Sequence, residues 1–193
     1  MKLGCVVMAA GNARRFGDNK LAALFQGKSL IRRALEAVPG DVFDRVVVVT
    51  QYPKVAELAE EFCFTAVHNE HPDYGISHTI ELGLMELNNY DGALFLVSDQ
   101  PLLRRESIVE LVTLWKRHPN KIAALGHGGV RGNPCLFPAR FYPELRKLRE
   151  DHGGNTVIRH HEEDLLLLEV DEAELYDVDT VWALERLKQG DRR

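Results

Sequence analysis

The stretch Leu3-Gly4-Cys5-Val6-Val7-Met8-Ala9-Ala10-Gly11-Asn12-Ala13-Arg14-Arg15-Phe16-Gly17-Asp18-Asn19-Lys20 decides the fold of this chain. Its first six residues are a short apolar run and read as a buried strand. The remainder, Ala9 to Lys20, is small and glycine-bearing at its start and closed by cations. Ala and Gly let a backbone approach a ligand closely, and Gly accepts backbone angles that other residues resist. Successive backbone N–H groups in such a turn make an anion cradle. Arg15 and Lys20 bring fixed positive charge to the same place. Holding a polyphosphate requires this combination.

Outward from that stretch, strands and helices alternate. Strands are predicted at Leu3–Met8, Arg45–Thr50, Thr65–His68, Ala93–Val97, Ile122–Leu125, Pro134–Phe137 and Leu165–Glu169. Helices are predicted at Leu30–Val38, Pro53–Glu61, Ser77 to about Leu87, Glu106–His118, Tyr142–Glu150 and Asn155–His161, with a last one from about Thr180. Ser29 is placed to cap the first of these and Ser77 the third. Continuous apolar strands between amphipathic helices imply a mainly parallel sheet covered on both faces. The expected fold class is therefore α/β: a single-domain, Rossmann-like, three-layer arrangement over residues 1–193.

Bulk properties narrow the function classes. At 193 residues and 45% hydrophobic, the chain suits one domain with a full core. The net charge of −5 argues against a nucleic-acid binder, which usually carries a basic excess. Cations are nonetheless dense early, at Arg14, Arg15, Lys20, Lys28, Arg32 and Arg33, which suits a small anionic substrate. No apolar run approaches a membrane span, and Lys2 precedes only six apolar residues without a cleavage site, so a cytoplasmic location is expected. Cys5, Cys63 and Cys135 lie far apart among apolar neighbours and read as reduced thiols, not a disulfide set. The eight histidines show no H-x-x-x-H spacing and read as surface or capping residues.

Two near-miss motifs exclude rivals. A dinucleotide fold wants G-x-G-x-x-G and an acid after the next strand. Here there are only Gly11 and Gly17, and Val46–Val49 leads into Thr50-Gln51. A P-loop wants a glycine five residues before Gly27-Lys28-Ser29, where this chain has Ala22.

Ala9-Ala10-Gly11-x-x-x-Arg15-Phe16-Gly17-x-x-Lys20 resembles the signature loop of nucleotidyltransferases of the sugar-phosphate and molybdenum-cofactor type. The chain is most similar to the molybdenum cofactor cytidylyltransferase family, a MobA-like branch of the NTP transferases, and the resemblance covers nearly its whole length. It implies a nucleotide-diphospho-sugar transferase type of fold. It also implies that the loop wraps a nucleoside triphosphate, that Arg15 holds the leaving pyrophosphate and that Lys20 sits on the phosphate under attack.

Four further segments carry the resemblance. Ser98-Asp99-Gln100-Pro101 comes directly after the strand Ala93–Val97, and ligands of open α/β sheets bind at such carboxyl ends. The family pattern implies that Asp99 ligates Mg2+, with Mn2+ as a substitute, that Ser98 meets the nucleotide and that Gln100 and Pro101 face the acceptor. Asp177-Val178-Asp179-Thr180 resembles the family's D-I-D-T segment, although Val181-Trp182-Ala183 departs from the usual continuation. Asp179 is favoured as second metal ligand and Asp177 as its support; the plain alternative is that Asp179 or Thr180 caps the last helix. Gly75-Ile76-Ser77-His78-Thr79 resembles the G-[MI]-S-x-[ST] segment, which assigns Gly75, Ser77 and Thr79 to the nucleotide. Arg131-Gly132-Asn133-Pro134 looks like the R-G-[HN]-P loop near the acceptor. Asp151-His152-Gly153-Gly154-Asn155 resembles the family's D-x-G-A-R helix start, with Gly154 and Asn155 in place of Ala and Arg, so one acceptor-reading cation is missing.

The implied reaction is attack of an acceptor phosphate oxygen on the α-phosphorus of CTP, with pyrophosphate leaving. The implied acceptor is molybdopterin, and a molybdenum hydroxylase would receive the product. CTP is preferred because Ala9-Ala10-Gly11 with Ser98-Asp99-Gln100-Pro101 resembles the cytidylyl members, whereas the guanylyl members carry a Gly-Gly version of the first segment and usually Cys-Asp-Met-Pro for the second; the Ala10 methyl would narrow the base site towards a pyrimidine. A sugar or polyol phosphate acceptor stays within the same class. A non-catalytic molybdenum-cofactor chaperone is the reading from another class, and a dehydrogenase is disfavoured by the missing glycine fingerprint.

Overall fold

A computed structural model describes residues 1–12, 16 and 20–190. In chain order the elements are β1 (Leu3–Ala9), β2 (Leu24–Phe25), β3 (Lys28–Ser29), α1 (Leu30–Ala37), β4 (Arg45–Thr50), α2 (Pro53–Glu61), β5 (Thr65–His68) and α3 (Ile76–Glu86). The second half of the chain adds β6 (Gly92–Val97), α4 (Arg105–Arg117), β7 (Ile122–His127), β8 (Val130–Pro138), α5 (Tyr142–Leu145), α6 (Gly154–His160), β9 (Leu165–Glu169) and α7 (Val181–Lys188). Among the described residues, seven strands form the main sheet in the order β5-β4-β1-β6-β8-β7-β9. β2 and β3 make a small separate ladder.

The main sheet is parallel except for β8, which runs against both β6 and β7. The cause is local. Gly128 and Gly129, both with positive φ, close a two-residue hairpin, so β8 must return beside β7. Residues 131–134, expected as a loop, therefore lie within β8, which begins at Val130 rather than at Pro134.

Alternation along the strands divides the core into two layers. On one face Cys5, Val7, Val46, Val48, Leu94 and Leu96 pack against α1, α2 and α4, with Trp115 fully buried among them. On the other, Val6, Val47, Val49, Phe95 and Phe137 pack against α3, α5 and α6. A third cluster joins Phe25 and Leu30 to Val178, Leu184 and Leu187, and so fastens the C-terminal segment to the start of α1.

Helix starts obey capping chemistry, with one correction. Ser29 Oγ accepts from the Arg32 N–H at 3.3 Å, and Pro53 opens α2 where no N–H is needed. Ser77 does not cap α3. Gly75 holds that position, and Ser77, inside the first turn, donates its hydroxyl to the Tyr74 carbonyl at 3.4 Å. The expected helix Tyr142–Glu150 stops at Leu145, and beyond it the Glu150 carbonyl accepts from the Ser77 N–H at the start of α3. The last helix is capped by Thr180, whose Oγ1 accepts from the Ala183 N–H at 3.0 Å.

α3 lies unusually close to β1. A Cβ at Gly83 would sit 2.5 Å from Val6 Cγ1, and that approach leaves no room for a side chain. Gly83→Val is expected to cost about 1–3 kcal/mol by overpacking. At roughly 2–4 °C per kcal/mol for a chain of this size, thermal unfolding should show the loss directly. An unchanged midpoint would contradict the α3–β1 packing.

Candidate active site

β1 lies between β4 and β6 and is parallel to both, with Met8 in register with Val97. The chain moves outward from β1 to β4 and β5, then returns to place β6 on the other side. Ligands of open α/β sheets bind at the carboxyl ends beside such a switch point. The turn after β1 is fixed there by its carbonyls. Ser98 Oγ donates to Met8 O at 2.8 Å, Thr50 Oγ1 to Ala9 O at 3.0 Å, Gln51 Nε2 to Ala10 O at 2.8 Å and Tyr52 Oη to Gly11 O at 3.1 Å. Desolvation pushes the Tyr52 phenol above its usual range, which keeps it a donor. With four successive carbonyls bound to side chains, the N–H groups are left over. Among the described residues no hydrogen bond uses those of Gly11 or Asn12. A Cβ at Gly11 would meet nothing within 4 Å, so that side of the turn is open space. An anion cradle needs both features.

Lys20 reaches this point from the far end of the loop. Its Nζ donates to Asp99 Oδ2 at 2.7 Å and to Asp179 Oδ1 at 3.3 Å, and its side chain is only 15% exposed. Asp99 stands just beyond the end of β6. Asp179 is delivered by the segment before α7, which is held by two anchors. The Val178 N–H donates to Asp99 O at 2.9 Å, and the Val178 side chain is fully buried in the third cluster. The neighbours of Val178 diverge: Asp179 goes to Lys20, while Asp177 Oδ1 accepts from Gln100 Nε2 at 3.0 Å. Protein packed around Asp177 and the facing Asp99 carboxylate push its carboxyl up to about 6.

The geometry of these acids suits a metal ion. Asp99 Oδ1 is buried without a hydrogen-bond partner, a liability for a carboxylate oxygen unless something else binds it. Asp99 and Asp179 already share one cation, the Lys20 ammonium. Carboxylate oxygens with room for phosphate beside them are the donor set of a hard divalent cation. The residues present fit such an ion.

These groups line a cavity of about 480 Å³. One wall is the β1 turn with Ala10, Gly11, Asn12 and Lys20, together with Ser98, Asp99 and Asp179; the other is Pro72, Asp73, Gly75, Ile76, Thr79 and Asp151. Gly75 is required by that second wall. Its φ is +82°, and a Cβ there would lie 2.4 Å from the Glu150 carbonyl oxygen. Thr79 Oγ1 is held by Asn69 Nδ2 at 3.4 Å.

Of the residues expected at the site, the structure brings together Ala10, Gly11, Lys20, Gly75, Thr79, Ser98, Asp99 and Asp179. Ala9, Ser77, Gln100 and Pro101 are buried and not among the lining residues, and Gln100 donates its amide to Asp177. Arg131, Gly132, Asn133 and Pro134 on β8 are not among the lining residues, nor are Gly153, Gly154 and Asn155 at the start of α6, although Gly153 lies against Ile76 of the lining. The two groups meet each other, since Arg131 Nη2 donates to Asn155 Oδ1 at 2.8 Å. Arg15 lies outside the described residues. Asn12, Asp73, Asp151 and the Thr50-Gln51-Tyr52 clamp are not among the site residues expected from the sequence. The clamp had a signal, because residues ending a strand beside β1 must adjoin the β1 turn; Asp151 had one in the segment that resembles D-x-G-A-R, and Asp73 had none.

Another acidic group, His161, Glu163 and Asp164, brings ligand atoms close together elsewhere. Asp164 there is already paired with Lys121 and Arg140, whose hydrogen bonds hold its carboxyl below the usual range. Among the described residues no helix is long and apolar enough to cross a membrane.

Comparison with known proteins agrees with this geometry. The MobA-like NTP transferase domain matches residues 5–165. The purine catabolism protein PucB of Bacillus subtilis is 25% identical over 188 residues, covering 91% of this chain and 90% of PucB. A probable molybdenum cofactor guanylyltransferase of Natranaerobius thermophilus is 27% identical over 112 residues, covering 58% of this chain and 54% of that protein. Among solved structures, Rv0371c of Mycobacterium tuberculosis in complex with manganese superposes with a TM-score of 0.77 at 19% identity, covering 98% of this chain and 99% of that one. With a match that runs from β1 to the start of β9 and a cation-bearing cleft at the switch point of its sheet, the chain belongs to the MobA-like NTP transferase family and is a nucleotidyltransferase.

Proposed function

We propose that the protein transfers CMP from CTP to the phosphate of molybdopterin and releases pyrophosphate. The observation that carries the reading is the convergence of Lys20, Asp99 and Asp179 beside the free N–H groups of the β1 turn. The acceptor phosphate oxygen forms a bond to the α-phosphorus as the bond from that phosphorus to the bridging oxygen breaks. Pyrophosphate takes the electron pair.

The chain needs no nucleophile of its own. Its work is positioning and the neutralisation of charge on phosphate oxygens. The N–H groups of Gly11 and Asn12 receive the polyphosphate, and Lys20 exchanges a carboxylate for a phosphate oxygen as the nucleotide enters. Asp99 and Asp179 would hold Mg2+ or Mn2+, which supplies further charge neutralisation when bound; the manganese in the Rv0371c relative supports a divalent ion of this type. Arg131 and Asn155, joined to one another on β8 and α6, are the proposed contacts of the acceptor. The choice of CTP rests on Ala10, a lining residue of the cavity, and on the resemblance of the Ala9-Ala10-Gly11 segment to the cytidylyl rather than the guanylyl members.

A Lys20→Ala variant should turn over about a hundredfold or more slowly, since losing one such donor costs on the order of 2.7–4 kcal/mol in the barrier. Its thermal midpoint should stay within a few degrees of the parent; an unchanged rate would remove Lys20 from the mechanism. Pyrophosphate release, monitored with Mg2+, molybdopterin and each of the four nucleoside triphosphates, tests the whole reading. The expected result is release with CTP alone, abolished in Asp99→Ala. Release with GTP instead, as the name of the guanylyltransferase relative would suggest, would keep the chemistry and overturn the base. No release with any pair, despite tight cofactor binding, would leave a cofactor chaperone.

A further inference from the structure

The cavity of the proposed reaction carries two acids that the phosphate chemistry does not use, and one of them, Asp151, opens the segment that resembles the family's D-x-G-A-R helix start. Asp73 and Asp151 both line it, beside Gly75. Both are exposed, and among the described residues neither carboxylate has a hydrogen bond or an ion pair. The other two acids of the lining, Asp99 and Asp179, both hold Lys20.

The two free acids are brought to one wall by backbone structure. Ser77 N–H donates to Glu150 O at 3.0 Å, and the missing side chain of Gly75 lets the Glu150-Asp151 backbone lie against the start of α3. Two unpaired like charges so placed add nothing to stability. Beside a bound polyphosphate they would repel it, so their use must lie with a different part of the ligand.

We propose that Asp73 and Asp151 are specificity-determining residues that seat the nucleotide in one direction. Resting on the nucleotidyl-transfer reading, the proposal gives each end of the cavity one kind of ligand chemistry. Ionised carboxylates accept hydrogen bonds and cannot donate them, so this wall takes the donor-bearing nucleoside half, through its ribose hydroxyls or base amino group. The same charge turns the polyphosphate away towards Lys20 and the β1 turn.

Asp73→Asn and Asp151→Asn test this without disturbing the core, because both side chains are exposed; thermal midpoints serve as the folding control. Binding is measured calorimetrically at low salt, where surface charge is least screened, with CTP, 2′,3′-dideoxy-CTP, UTP and inorganic tripolyphosphate. Each substitution should weaken CTP about tenfold, the scale of one charge-assisted hydrogen bond. Each should also leave tripolyphosphate bound about twofold tighter or more. Loss of the CTP effect in 2′,3′-dideoxy-CTP would identify hydroxyl donors, and its loss in UTP the base amino group. Equal weakening of all three nucleotides, or weakening of CTP and tripolyphosphate together, would overturn the proposal. If the wild-type protein binds no nucleotide at all, the nucleotidyl-transfer reading fails instead, and the tripolyphosphate response still decides whether the acidic wall steers phosphate.

Discussion

Everything chemical in this molecule depends on β1 lying parallel between β4 and β6. That pairing brings three strand ends to one place, and each contributes a different part. β1 contributes the turn with free N–H groups, β4 the Thr50-Gln51-Tyr52 clamp that ties down the turn's carbonyls, and β6 the carboxylate of Asp99. The strands are buried on both faces by packed helices, so their ends cannot drift relative to one another. A rigid frame with function on the connecting segments is the usual division of labour in such sheets.

The Lys20–Asp99–Asp179 grouping is weak as a stabilising device. An ion pair drawn out of water loses solvation that its attraction only roughly offsets. Here one cation faces two carboxylates, and Asp99 Oδ1 is left buried and unbonded. A Glu174–Arg104 pair elsewhere shows what a structural ion pair looks like: three hydrogen bonds satisfy a single buried carboxylate. The cleft grouping is under-satisfied by comparison, as expected of a site that takes phosphate and a metal ion.

Much of this was legible in the sequence. The apolar runs Leu3–Met8, Val46–Val49 and Ala93–Val97 are long, uninterrupted and flanked by turn residues, and their strands appear at those places. Lys20, Asp99 and Asp179 are spread over much of the chain, yet both acids lie within hydrogen-bond reach of one ammonium. What was missed depends on tertiary contact. Ser77 looks like a cap, yet Gly75 takes that place because only a residue without Cβ can pass the Glu150 backbone. Gln100 is expected from the resemblance at the acceptor, and its buried amide donates to Asp177, a contact the sequence does not show. Asp73 is an ordinary polar position in the sequence and Asp151 stands in the segment that resembles D-x-G-A-R, and only the fold brings the two to one cavity. The β7–β8 hairpin is a different kind of miss, since Gly128-Gly129 was a readable turn signal.

The central claim is that Asp99 and Asp179 form one divalent-cation site at the switch point, with Lys20 as its neighbour. Titration of Mn2+ monitored by electron paramagnetic resonance tests it most directly, using the wild-type protein, Asp99→Asn and Asp179→Asn in the presence of CTP. The account predicts one bound ion in the wild type and at least tenfold weaker binding in each variant. Undiminished Mn2+ binding in both variants would contradict it.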